Sequence, residues 1–318
     1  MAPRHGRPDG MSLQDAERRV IVNADDFGLS AGVNAGILAG HLQGVVTSAT
    51  VMANGAAFDD AAARARAHPS LGVGCHLTLI GGPPTAPAAA VPGLIERNGR
   101  FPDTLGAFLR RLLAGRVRTA EVVVEFRAQA ERVMQAGIRP THFDSHKHTH
   151  AHPVVLEAAL RVAEEFGVRC IRSPFERLTF GADRRARRFA ADWRTLVKRK
   201  VAACVLARYA RSFHRRAHGA PVIAPDFFFG FAHTGLLTPD FLCYLMENLP
   251  PGTSELMCHP AEVDAALRNS VTRLKEARFR ELAALTDARV RRVVEAHNVR
   301  LIHFGVLAEE REANSRKP

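Results

Sequence analysis

Short apolar runs alternate with amphipathic stretches along most of the chain. Arg18 to Ala24 (RRVIVNA), Val45 to Met52 (VVTSATVM) and Leu71 to Ile80 (LGVGCHLTLI) are rich in β-branched and apolar residues and predict three strands. Between them, Ser30 is placed to cap a helix through about His41, and Ala56 to Ala67 is alanine-rich and helical in pattern. A Gly/Pro loop, Gly81 to Gly99, precedes predicted helices over Thr104 to Leu113 and Ala120 to Ala136. Thr141 to Ser145 reads as a brief strand, Pro153 to Phe166 as a helix with Pro in its first turn, and Val168 to Arg172 as a further strand. Towards the C-terminus, Pro239 to Asn248 and Thr286 to His297 predict helices, and Ser254 to Cys258 and Val299 to His303 predict strands. Such alternation calls for a parallel sheet with crossover helices, which an open doubly wound sheet or a barrel satisfies equally. In both, chemistry belongs at the carboxyl ends of the strands.

Length is compatible with one unit: two average domains would fit 318 residues, but α/β barrels of roughly 200–250 residues form a single domain. The expected organisation is a flexible stretch 1–17, one catalytic domain 18–308 carrying an insertion at about 177–225, and a polar, frayed tail 309–318. At 47% hydrophobic and 24% charged residues, wholesale disorder is excluded. No apolar run suggests a membrane span, and the polar start of the chain does not resemble a secretory signal. Five scattered cysteines without a CxxC pair argue against a disulfide scaffold or a thiolate zinc cluster and fit a reducing cytoplasm.

Charge is concentrated in the insertion. Arg177 to Arg216 holds 13 Lys and Arg against Asp183 and Asp192, so this segment carries +11 of the formal +12. Trp193, Leu196, Val197, Val201, Cys204, Val205 and Tyr209 recur at helical spacing within it, making a basic amphipathic helix. Two readings stand: a surface helix packing its stripe on the core, or one docking on a membrane surface from the cytoplasmic side. Nucleic-acid binding is disfavoured, because aromatics are sparse and no recognised motif is present. A homodimer is left open.

Polar residues cluster at the predicted strand ends. THFDSHKHTHAHP, Thr141 to Pro153, places His142, His146, His148, His150 and His152 beside Asp144. Neutral imidazole is a common ligand for zinc and similar metals, and this grouping points to a metal site. In NADDFG, Asn23 to Gly28, adjacent carboxylates repel unless a cation intervenes; one can bind metal while its neighbour stays free as a base. Asp26 suits either that work or helix capping. His76 alone in an apolar strand would be an ordinary core histidine, but beside the other motifs it completes a set of two histidines and a carboxylate, the open pattern of a catalytic metal. No GxSxG, GxxxxGK[ST] or GxGxxG appears, so covalent serine catalysis and nucleotide cofactors are not implied.

NADDFGLS, VTSATVMANG, GCHLTL, THFDSHKHTH and MCHP, in that order, resemble the YdjC-like carbohydrate deacetylases, which include chitooligosaccharide deacetylases and hopanoid-biosynthesis-associated deacetylases. The resemblance runs from about Arg18 to Val306, with the basic segment poorly covered. It implies a distorted, TIM-barrel-like (β/α) barrel with a basic helical insertion, and a divalent metal, Mg²⁺ or Zn²⁺, serving hydrolysis of an N-acetyl group on an amino sugar. Carried over by motif, the ligands are Asp26, His76 and His146, with Asp25 as general base and His259 of MCHP as general acid. Asn23, His148 and His150 are candidate substrate contacts, and His148 and His150 are alternatives to His146 as ligand. The family motif often has three successive histidines where this chain has Lys147, a feature shared with the hopanoid-associated branch, whose lipid-linked substrate would suit a membrane-surface helix. From a different class, a non-catalytic metal-binding protein with a nucleic-acid- or membrane-binding insert remains the alternative.

Overall fold

β1 (Arg18–Phe27) is the strand around which the sheet is built. Every residue from Val20 onward is buried, as expected of a parallel strand covered on both faces. Along one edge it pairs with β6 (Gly252–Cys258), from Arg18 opposite Gly252 to Ala24 opposite Cys258. Its other edge is shared: β7 (Val299–Leu301) takes Arg18 to Val20, and β2 (Ser48–Val51) takes Asn23 to Phe27. β3 (Gly72–Leu77) and β4 (Phe143–Ser145) extend the sheet beyond β2, and β5 (Phe227–Phe229) extends it beyond β6. All these pairings are parallel. The computed structural model describes residues 17–176, 201–202 and 204–315.

The open ends of this sheet are brought together by two single bridges, Phe143 to Ile171 and Cys170 to Ile223. Arg172 N donates to Phe143 O at 3.0 Å and Ile171 N donates to Ile223 O at 2.9 Å. Since Ile223 lies four residues before β5, the strands curl round into a distorted barrel. The predicted strand Val168–Arg172 is present only as these bridges, yet it supplies the arc that closes the circuit.

Helices surround the barrel: α1 (Ala31–Gln43), α2 (Phe58–Ala67), α3 (Leu105–Leu113), α4 (Thr119–Gln135), α5 (Pro153–Glu165), α6 (Ala210–His218), α7 (Pro239–Glu247), α8 (Ala265–Asn269), α9 (Glu276–Leu285), α10 (Ala288–Ala296) and α11 (Phe304–Ser315). Ser30 Oγ accepts from Val33 N and caps α1 as its sequence suggests. A Cβ on Gly36 would lie 2.3 Å from Ala261 Cα, and one on Gly32 would lie 2.1 Å from Glu262 O. Only glycine lets α1 lie this close to the loop that leaves β6 and carries His259. On α4, Glu121, Glu125 and Gln129 form a buried polar stripe at four-residue spacing. They accept from Gly93 N, from Thr85 N and Ala86 N, and from Thr78 N, which satisfies the backbone of the long loop after β3.

β5, α6, α8 and α9 have no counterpart among the sequence-predicted elements, and α11 runs through Ser315 where a frayed tail was expected after Glu309. Glu310 explains the difference: it pairs with Arg19 at 2.6 Å and Arg300 at 2.7 Å, tying the last helix to β1 and β7. Trp193, Leu196 and Val197 of the basic segment lie outside the described residues. Where the segment is described, Val201 and Val205 are 58% and 56% exposed, so this part of the stripe does not pack on the core. α6 does dock, through buried Phe213 against Phe175.

Candidate active site

The two aspartates of NADDFG stand at an irregularity in β1. Its register against β2 slips between Ala24 and Phe27, and Asp26 adopts φ 68°, a left-handed conformation costing a non-glycine residue about 1–3 kcal/mol. The slip sends neighbouring carboxylates to separate partners.

Asp25 is gripped by Arg172, whose Nη1 and Nη2 donate to Oδ2 and Oδ1 at 2.7 Å each. Arg172 is fully buried, and it also donates through Nε to Glu255 Oε1 (2.7 Å) and pairs through Nη1 with Asp144 Oδ2 (2.8 Å). Asn23 Nδ2 adds a bond to Asp25 Oδ1 at 3.1 Å. Burial works against charge on Arg172, but Asp144, Asp25 and Glu255 outweigh it and drive its pKa well up. Glu255, with burial as the main cause, is pushed up to about 7.

Asp26 faces the other way. Its Oδ1 lies 3.0 Å from His146 Nδ1 and 3.4 Å from His76 Nε2, while Arg278 Nη2 donates a short bond to Oδ2. Burial pushes the Asp26 carboxyl upward, but Arg278 and then His146 outweigh it and hold it well below the usual carboxylate range. Behind the cluster, His76 Nδ1 bonds Asp144 Oδ1 at 2.7 Å and lies 3.1 Å from Thr50 Oγ1, which fixes the ring with Nε2 toward Asp26.

Asp26, His76 and His146 each offer one ligand atom, all within 4.8 Å of one another. One observation says that this donor set fits a divalent cation: the carboxylate behind His76 is the outer partner that metal-binding imidazoles commonly have. Burial disfavours a charged His76, yet Asp144 and then Asp26 overcome it and raise its pKa to about 10. At His146 burial outweighs Asp26 and lowers the pKa of that ring. A second grouping, Asp25, His76 and Asp144, is also close enough, but Arg172 already occupies both carboxylates.

His259, just past β6, closes the site. Its Nε2 lies 3.9 Å from Asp25 Oδ2, and its backbone N donates to Glu281 Oε2 at 2.6 Å. Glu281 also accepts from Gly235 N, joining two loops at the rim. Burial lowers the His259 pKa to about 4. Burial also pushes Glu281 up to about 7.

The five histidines of THFDSHKHTHAHP divide. His146 and His148 line the cavity with Asp25, Asp26, His76 and His259. Left-handed Lys147 and His148 (φ 56° and 55°) break the segment's periodicity, so neither alternation nor four-residue spacing describes which rings converge. His150, expected as a substrate contact or alternative ligand, is not among the residues lining the cavity, and its ring nitrogens are engaged by Ser145 Oγ (2.6 Å) and Arg172 O (3.0 Å). Asn23 is likewise fully buried, does not line the cavity, and acts on Asp25. His142 stacks on Phe304 with ring centroids 3.7 Å apart, and His152 caps α5.

Arg172, Glu255, Arg278 and Glu281 were not among the sequence candidates, and Asp144 was named only as a neighbour of the histidines, without a role. Arg172 sits at a strand end, the very signal that flagged the others. Glu255 is a charge inside a strand. For Arg278 and Glu281 no local signal exists, since nothing in EARFRELAAL separates Arg278 from Arg280.

Comparison with known proteins agrees with this architecture. The profile of the YdjC-like protein family matches residues 19–296. A carbohydrate deacetylase of Geobacillus stearothermophilus is 36% identical over 288 residues, covering 90% of this chain and 97% of its own. A chitooligosaccharide deacetylase of Klebsiella pneumoniae (strain 342) is 33% identical, covering 90% and 97%. A crystal structure from Enterococcus faecalis V583, described as a candidate cellobiose-phosphate cleavage protein, superposes with a TM-score of 0.73 at 27% identity, covering 92% and 99%. Barrel, ordered motifs and family profile coincide over the same residues, and the chain belongs to the YdjC-like protein family.

Proposed function

We propose that the protein is a metal-dependent carbohydrate N-deacetylase, hydrolysing the acetamide of an acetylated amino sugar to acetate and a free amine. One observation carries this reading: Asp25 and Asp26, adjacent in sequence, face different partners, one directed at two histidines and the other within 4 Å of His259. Metal storage would need no such second carboxylate, which weighs against a non-catalytic metal-binding protein. The names of the Geobacillus and Klebsiella relatives support the substrate class.

Asp26, His76 and His146 would hold the cation, Mg²⁺ or Zn²⁺. Bound there, it supplies Lewis acidity to a carbonyl oxygen and to water. Asp25, immobilised by Arg172 and Asn23, takes a proton from the attacking water. His259 is neutral at rest because burial lowers its pKa. It therefore receives its proton during turnover, with Asp25 3.9 Å away as the source, and passes it to the departing nitrogen. His148, whose buried Nδ1 has no partner, is the candidate acceptor for a sugar hydroxyl.

Acetate release from N-acetylglucosamine oligomers, with and without added Zn²⁺, Co²⁺ or Mg²⁺, tests the reading. Asp25→Asn should keep its metal and lose roughly 10²–10⁴-fold in kcat; wild-type turnover in that variant would remove Asp25 from the role of base.

A membrane-bound glycolipid substrate, such as a glucosaminyl hopanoid, is a narrower reading supported by exposed Val201 and Val205 beside Arg208. Among the described residues no helix is long and apolar enough to cross a membrane, so contact would be peripheral. Unchanged liposome flotation after deletion of the basic segment would end that reading.

A further inference from the structure

Arg278, on the inward face of α9, is 1% exposed. Its Nε donates to Leu274 O at 3.0 Å and its Nη2 donates to Asp26 Oδ2, but Nη1 is buried with no partner. Arg278 lines the cavity together with Asp26 and His259. An unsatisfied N–H on a buried cation is costly, and native structures rarely leave one without use. The contrast with Arg172 is direct, because all three of its guanidinium nitrogens face acids. Nη1 of Arg278 thus has the character of a donor awaiting an acceptor, held beside the carboxylate that faces His76 and His146.

We propose that Arg278 is a catalytic residue whose Nη1 donates to the acetyl oxygen of the substrate, most strongly when that oxygen becomes anionic. This rests on the deacetylase reading. As the oxygen of water bonds to the acetyl carbon and Asp25 takes the proton, the C=O electron pair moves onto the acetyl oxygen. When the C–N bond breaks, that pair re-forms the carbonyl of acetic acid and the nitrogen leaves with the proton delivered by His259. A fixed guanidinium N–H interacts more strongly with the intermediate's negative oxygen than with the neutral amide, so it lowers the barrier and does not merely tighten binding. The same donor binds the carboxylate of product acetate.

The test uses the full chain loaded with metal. In Arg278→Lys and Arg278→Gln, kcat should fall by about 10²–10³-fold, with KM and bound metal little changed. Acetate affinity, measured by calorimetry, should weaken by about 10–100-fold, the range for a hydrogen bond to a charged group. Arg278→Lys keeps a cation beside Asp26 and guards against loss of the fold. Acetate should also raise the thermal midpoint of the wild-type protein, which needs no variant. Unchanged acetate affinity in the variants, no acetate effect on the wild type, or activity restored by excess metal alone would each overturn the proposal, the last by reducing Arg278 to a support for Asp26. Failure of the wild type to release acetate from any amino sugar would instead refute the deacetylase reading, while the acetate-binding measurements still decide the role of Arg278.

Discussion

Two buried guanidinium clusters flank the irregularity in β1, and they differ in completeness. Around Arg172 everything is closed: Asp25, Asp144 and Glu255 account for all its nitrogens, at 2.7–2.8 Å. Around Arg278 the arrangement is open, with Nη1 unpartnered and Asp26 Oδ1 turned to His76 and His146. Both guanidinium groups are equally buried, so burial alone does not distinguish them. A closed network fixes geometry, whereas an open one retains capacity for a ligand. Asp25 gains a fixed position from the first, and Asp26 meets a cation within the second.

Removing the cation from the closed cluster should have the largest effect. Arg172→Met strands three carboxylates in the interior, and the expected loss of about 3–5 kcal/mol or more should lower the urea midpoint steeply. A nearly unchanged midpoint would mean that the cluster does not hold the barrel together. In the open cluster the outcome should reverse. Asp26→Asn, which tolerates the left-handed backbone, should weaken metal binding by at least about 10-fold. The midpoint of its metal-free form should move far less than in Arg172→Met; comparable unfolding in both variants would erase the distinction.

A third effect, which grows only as the solution is made acid, concerns the histidines that belong to neither cluster. Burial lowers the pKa of His142 to about 3 and that of His150 to about 4. In the unfolded chain each titrates near 6.5, so below that pH the unfolded state takes up protons the folded state refuses. Their contribution is complete above pH 6.5 and declines as pH falls toward 4, by up to ~1.4 kcal/mol per pH unit for each ring. His142→Phe, which preserves the stack on Phe304, should flatten that decline in melts between pH 6.5 and 4; an unaltered slope would show that His142 is charged in the fold. His76, raised to about 10 in the metal-free protein, acts in the opposite direction and only above pH 6.5.

Much of the site was legible because one topological rule, polar residues at the carboxyl ends of parallel strands, gathers Asp25, Asp26, His76, His146 and His259 from distant motifs. Arg172 obeys the same rule at the end of Val168–Arg172, but in sequence a terminal arginine is indistinguishable from an ordinary surface charge. The resemblance offers His150 as a substrate contact or alternative ligand, whereas its ring packs on Ser145 and Arg172 beyond the left-handed turn at Lys147 and His148. The tail after Glu309 looked frayed because its composition is polar. Its helix depends on ion pairs to Arg19 and Arg300 that no local pattern reveals.

The order of amino acids sets the alternation of strands and helices, the parallel fold class, the family motifs and the candidate groups for binding a metal or moving a proton. These follow from local propensity and from the order of chemically distinctive residues, which act over a few positions. Only the packed fold settles which histidines remain in the cavity, and that Arg172 closes one cluster while Arg278 leaves the other open. Those outcomes depend on charges brought together across as many as 252 residues of chain, as between Asp26 and Arg278. In a dry interior, the energy of each charge is set by its partners and not by its neighbours in sequence.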